Sequence, residues 1–293
     1  MGGQEEEEEA SSGVEKSITA NGDQRVKADR PNSNPGNSFA LFEAGGSGTM
    51  VDGRVYTAAH ILFNNAAIQG TNGWRCKDGS VQASCAVTGF SRWRFGGRIT
   101  TTNGVETQTW ASAWAICGFV SVPNGWINMV STPSHTTFAR WDYGLQNLDG
   151  CVPAGAGSIG WWVTNQATLR THLLFQGGYA QRLPCPALTT GSSADCPAGT
   201  VQLRSNTPGS AYSGGSLFWT DGGFSDPALI VTGGYIRSAN MDITLGHSGG
   251  SVIAFHPPTK AWWSVGSASN SAAGESDNWY NHLTAEVQAF LYQ

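Results

Sequence analysis

Short apolar runs, each cut off by Gly, Asn, Asp or Pro, recur along most of this chain. The runs FALFEA (39–44), GTMVDGRVYTAAH (48–60), HLLFQGGYA (172–180), PALIVTGGYI (227–236), SVIAFH (251–256) and AWWSVGSA (261–268) are the clearest. Turn residues between short β-prone runs predict an all-β chain, folded as a sandwich or barrel. One segment breaks the pattern. In LTAEVQAFLYQ, Leu283, Val287, Phe290 and Leu291 fall at i, i+4, i+7 and i+8. That single apolar stripe at helical period predicts a C-terminal helix packed back on the β core. Residues 1–38 show no periodicity and contain RPNSNPGNS, which reads as a tail and an extended lead-in.

At 293 residues and 40% hydrophobic, the chain can bury the core of one large domain or two small ones. Charge is unevenly placed: residues 1–16 hold Glu5 to Glu9 and Glu15 against Lys16, and acids and bases balance in the remainder. The acidic run reads as a solvated segment, and the neutral body has no basic stripe to bind nucleic acid. No run approaches the roughly 18 consecutive apolar residues of a membrane span, and no signal peptide is visible at the N-terminus.

The cysteines point outside the cytosol. Cys76, Cys85, Cys117, Cys151, Cys185 and Cys196 include no C-x-x-C pair, and no His stands at zinc-like spacing from a cysteine pair. No structural metal is expected. An even count suggests disulfides made in an oxidising compartment, hence a secreted protein. Chain order suggests Cys76 with Cys85, Cys185 with Cys196 and Cys117 with Cys151, one of several connectivities six cysteines allow. Trp74, Trp93, Trp110, Trp114 and Trp126 crowd the loop-rich region from about 70 to 128. They are expected to pack core and loops, with a ligand groove as the alternative.

Candidate chemistry centres on Ser248 in GHSGGSV. In a chain with 39 glycines this pattern says little until a base and an acid are found. A serine hydroxyl is a poor nucleophile near neutral pH and needs an adjacent base, itself oriented by a third group. His60 closes RVYTAAH, where two alanines let an imidazole sit close to backbone at a strand end. Asp142 in RWDYGL lies between aromatics, as a carboxylate held in a buried place would, and a histidine N–H is one partner it could take. His135, His172, His256 and His282 are scattered without ligand spacing and read as structural or surface residues.

The motifs VYTAAH, WDYGL and GHSGGSV, in the order His, Asp, Ser, resemble the three catalytic motifs of the trypsin-like serine proteases of chymotrypsin fold. ANGDQRV (20–26) faintly resembles the mature start of the bacterial glutamyl-endopeptidase branch. The resemblance implies two six-stranded antiparallel β-barrels with a C-terminal helix: residues 1–38 as tail and lead-in, 39–146 as first barrel, 147–293 as second. It implies a serine endopeptidase acting as a monomer on protein or peptide substrates, without cofactor, nucleic acid or membrane. Ser248 would be the nucleophile, His60 the base and Asp142 its orienter. The N–H groups of Gly246 and Ser248 would form an oxyanion hole. Asp242 would sit at the base of the specificity pocket, and Ser264, Val265 and Gly266 would pair with substrate backbone.

The sequence departs from the family at several points. Ile61 stands where animal members carry a cysteine, His247 replaces an aspartate, and the interval from His60 to Asp142 is long enough for an insertion. Asp242 favours basic side chains only a little, and Trp263 and Ile243 weaken the case for glutamate. The alternative reading is a silent protease homologue, or a glycan- or protein-binding module using the cleft or the tryptophan-rich region. An esterase of the strand–elbow–helix type fits poorly, because a strand follows Ser248.

Overall fold

The computed structural model describes residues 26–27, 33–42, 46–62, 84–86, 92–102, 105–115, 119–129, 133–148, 150–179, 218–221, 229–238, 241, 243, 246–271 and 277–292. Asp242, Trp74, Cys76, Cys117, Cys185 and Cys196 lie outside them, as does the segment 1–25.

The first sheet begins with β2 (Phe39–Phe42), β3 (Ser47–Val51) and β4 (Arg54–Thr57). Asp52 and Gly53 join β3 to β4 with φ of 50° and 77°, the left-handed pair that a two-residue hairpin of this kind requires. β5 (Ser84–Ala86), β6 (Trp93–Phe95), β9 (Phe119–Ser121) and β10 (Gly144–Asn147) complete a sheet ordered β5-β9-β10-β4-β3-β2-β6. A separate ribbon pairs β7 (Arg98–Thr102) with β8 (Val105–Thr109).

The second sheet is built from β12 (Leu174–Gly178), β13 (Phe218–Asp221), β14 (Ile230–Thr232), β15 (Tyr235–Ser238), β16 (Ser251–His256), β17 (Ala261–Ser271) and β18 (Asn278–His282). Two short strands extend it: β1 (Val26–Lys27) against β13, and β11 (Gly160–Trp161), the one parallel partner, against β17. Both sheets are otherwise antiparallel, and the chain folds as two antiparallel β-barrels with a C-terminal helix.

Three apolar clusters explain why the runs are so continuously apolar. Ala40, Phe42, Val55 and Trp93 fill the first barrel, and Leu174, Val252, Ala254 and Val265 fill the second. The alternate residues of the same strands, Phe39, Leu41, Tyr56 and Ile253, meet Tyr143, Ile159 and Tyr179 in a third cluster drawn from both sheets. A strand buried on both faces loses the polar half of its alternation. The C-terminal helix, Ala285–Leu291, is capped by the Thr284 hydroxyl accepting from Val287 N–H at 3.3 Å, and sets Val287 and Leu291 into the shared cluster beside Leu283, which precedes the cap.

Helices α1 (Ala59–Leu62), α2 (Asn124–Ile127), α3 (His135–Trp141) and α4 (Gln166–Leu169) precede that C-terminal helix, α5. The apolar stripe of the sequence shows only α5; the other described helices are one or two turns long, and α3 and α4 start at side-chain caps. Ser134 starts α3 by accepting from Thr137 N–H at 3.2 Å. Among the tryptophans, Trp93 and Trp126 are fully buried. Trp110 and Trp114 are half-buried and interleave with arginine: the Arg94 guanidinium lies 5.1 Å from the Trp110 ring and 5.7 Å from the Trp114 ring. Cys151 is disulfide-bonded, and the pairing of the cysteines lies outside the described side chains.

Candidate active site

His60 and Asp142 are delivered by two short helices. β4 ends at Thr57, Ala58 and Ala59 pack with no exposed surface, and the chain turns into α1 with His60 in its first turn. His60 therefore stands just past the strand rather than at its end. Asp142 caps the C-terminus of α3, immediately before β10. Asn281 of β18 holds that end of α3, donating from Nδ2 to Arg140 O at 2.9 Å and Ala139 O at 3.2 Å, while Tyr56 donates to its Oδ1 at 2.6 Å.

Asp142 is fully buried and accepts three hydrogen bonds. His60 N–H donates to Oδ1 at 2.9 Å, and His60 Nδ1 and Ser269 Oγ meet Oδ2 at 2.8 and 2.6 Å. A carboxylate has no proton to give, so Nδ1 carries the hydrogen and Nε2 keeps its lone pair. The ring stands beside Trp126 and Phe138, at centroid distances of 6.5 and 6.1 Å, so an apolar wall backs the pair.

Nothing in the sequence singles out Ser269. The register of β17 against β18 runs Ala268 opposite Tyr280, then Asn270 opposite Trp279, so Ser269 is an extra residue in a bulge. Bulges re-aim one side chain away from the sheet's alternation. Here the re-aimed hydroxyl reaches Asp142.

Ser248 lies in a turn made of backbone. Gly246 has φ of 93° and Gly249 of 79°, and Gly250 N–H closes the turn on His247 O at 2.8 Å. A Cβ on Gly249 would stand 2.0 Å from Thr57 Oγ1, 2.3 Å from Ser47 O and 2.7 Å from Ala58 N, so only glycine fits. Ser47 stitches the turn to the first barrel: its N–H donates to Ser248 O at 2.7 Å and its hydroxyl to Gly246 O at 2.6 Å. Its carbonyl accepts from Thr57 Oγ1 at 2.6 Å. On the other flank, Gly249 N–H donates to Ala268 O at 2.7 Å.

The turn is thus clamped between the residues that precede His60 and those that precede Ser269. Ser248 is 8% exposed. Among the described residues its hydroxyl has no hydrogen bond to the imidazole, a contact that is often long in free enzymes and tightens with substrate. The N–H groups of Gly246 and Ser248 have no partner among the described residues, while those of Gly249 and Gly250 are used internally. Two unpartnered amides beside a serine suit a developing oxyanion.

One expectation is corrected. Ser264, Val265 and Gly266 cannot pair with substrate, because they lie buried mid-strand with β16 on one side and β11, Leu283 and β18 in turn on the other. Ser264 O accepts from Trp162 N–H and Val265 O from Leu283 N–H, at 2.8 and 2.9 Å. Further along β17, Asn270 and Ser271 pair with β18 on one side, and no strand flanks their other edge among the described residues. Asp242 lies outside the described residues.

The remaining histidines serve elsewhere. His135 stacks on Trp279, and His172 and His256 meet the Trp162 ring edge to face. His282 is 6% exposed; burial depresses its pKa from 6.5 to about 4, against a smaller opposing hydrogen bond to Thr164. Burial likewise pushes the hydroxyls of Tyr56 and Tyr179 above their ordinary range. Among the described residues no group of three His, Cys, Asp or Glu is placed to hold a metal ion.

No family model and no curated protein matches the chain. A solved Glu endopeptidase in complex with MPD is similar in structure, with a TM-score of 0.53 and 15% identity over 94% of this chain and 98% of that one. A likeness at that identity speaks for architecture alone. The chain has the two-barrel fold of the chymotrypsin-like proteases.

Proposed function

We propose that this protein is a secreted serine endopeptidase that works through an acyl-enzyme on Ser248. The observation that carries the reading is the buried Asp142 holding the His60 Nδ1–H at 2.8 Å, in the tautomer a general base requires. Ser248 Oγ attacks the scissile carbonyl carbon as His60 Nε2 takes its proton. The carbonyl oxygen, now negative, accepts from the N–H groups of Gly246 and Ser248. The tetrahedral centre collapses, the C–N bond breaks and the imidazolium gives its proton to the leaving amine. Water then repeats the sequence and frees the serine. Asp142 stays a carboxylate throughout and stabilises the imidazolium.

The open edge at Asn270–Ser271 would take the substrate backbone as an added strand, beside the bulge that fixes Asp142. The disulfide at Cys151 supports an oxidising compartment. The test is intact-mass labelling with a fluorophosphonate. A single adduct is expected on wild type and none on Ser248→Ala or His60→Ala. An undiminished adduct on folded Ser248→Ala, or none on wild type, refutes the assignment.

A further inference from the structure

A cavity of about 670 Å³ opens between the first barrel and α5, and neither His60 nor Ser248 lines it. Its walls are polar and apolar in nearly equal share, with the aromatic rings grouped together. Tyr143 and Phe290 meet edge to face there at 5.2 Å. The Trp141 ring forms a third wall, held by Gly125, where a Cβ would stand 2.2 Å from the ring, and by the Arg140 guanidinium 4.9 Å from its centroid.

The two charged groups in the wall differ. Glu286 is compensated by Arg140 at 3.7 Å. Arg54 enters from β4, opposite Asn147 of β10, and has one long hydrogen bond, 3.4 Å to the carbonyl of Asp52. Among the described residues no carboxylate lies within ion-pair distance of it. A guanidinium beside an amide, in a chamber also walled by Trp141, Tyr143 and Phe290, is a fork for a carboxylate whose attached group can lie against the rings.

We propose that this cavity binds a monocarboxylate carrying an aromatic or bulky apolar group, with Arg54 holding the carboxylate. A peptide C-terminus and a free aryl-alkanoate share that chemistry. The site uses no member of the His60, Asp142 and Ser248 set, so it stands or falls independently of the reaction proposed above.

The test is titration calorimetry of the intact chain with N-acetyl-L-phenylalanine, 3-phenylpropanoate and N-acetyl-L-phenylalaninamide. Both acids should bind at least about tenfold more tightly than the amide, as a charge-assisted fork requires. Arg54→Gln should abolish that preference and leave amide binding unchanged, and Arg54→Lys should keep part of it. Tighter binding of N-acetyl-L-phenylalanine than of 3-phenylpropanoate assigns a peptide terminus; the reverse assigns a free acid. Equal binding of acid and amide, no binding of either acid, or an acid preference that survives Arg54→Gln overturns the proposal.

Discussion

His60 and Asp142 are fixed by hydrogen bonds that converge on one carboxylate side chain, whereas the Ser248 turn is fixed chiefly by backbone groups and glycines, with the Ser47 hydroxyl added. The first arrangement depends on which atoms the side chains carry and the second on which atoms they lack. A substitution in the first half should therefore change the chemistry of a folded protein. One in the second should also disturb the fold.

Asp142→Asn is the sharpest break of the first half. The amide reverses the donor–acceptor match at Nδ1 and favours the wrong tautomer. The rate of fluorophosphonate labelling should fall by about ten-thousand-fold with the circular dichroism unchanged. Gly249→Ala breaks the second half. The methyl group meets Thr57 Oγ1 and Ser47 O, so labelling should drop by about a hundred- to a thousand-fold, the scale of a lost oxyanion donor, and the thermal midpoint should fall with it. Gly150→Ala is the control, because Gly150 has φ of 82° and an added methyl group would meet nothing within 4 Å; it should show only the roughly 1–2 kcal/mol of left-handed strain.

Ser269→Ala is a finer probe. It removes one of three donors to Asp142 and should slow labelling by about tenfold while leaving the thermal midpoint near wild type, since the other two donors remain. Equal losses in Ser269→Ala and Asp142→Asn would erase the distinction between positioning Asp142 and supplying it.

The smallest effect on rate and the clearest on pH belongs to His282. Its folded pKa of about 4 lies below its ordinary 6.5, so the unfolded chain binds a proton that the folded chain refuses. Stability is then unaffected above pH 6.5 and falls between 6.5 and 4, by roughly 3 kcal/mol in all. Urea unfolding at pH 7.5 and 4.5 should show a smaller drop in His282→Asn than in wild type.

Much of this is legible in the sequence. The strand runs, the Asp52–Gly53 hairpin and the stripe of α5 each rest on local chemistry that a sequence displays. So does His60, whose two preceding alanines pack without exposed surface. Ser269 is not legible. Ser264, Ser267, Ser269 and Ser271 all lie on β17, and only the register against β18 tells which one sits in the bulge. The glycine in SVG matches the family pattern better than the Ser269–Ser271 segment does, yet SVG is flanked on both sides by strands of the same sheet. A neighbour's position is a tertiary fact, and local residues do not encode it alone. Helix α3 is hidden for a related reason: one short helix held by a serine cap and by Asn281 of β18 leaves too little periodicity to see.

Ser47 contributes its amide and hydroxyl to contacts that join an early segment of the chain to a late one. Asn281, near the C-terminus, anchors the helix that presents Asp142. Neither half of the candidate site is therefore self-contained: the Ser248 turn leans on Ser47 of the first sheet, and the helix that presents Asp142 leans on Asn281 of the second. Both halves are thus products of the two sheets docking on each other, so a change that loosens that seam far from Ser248 should loosen the whole candidate site at once.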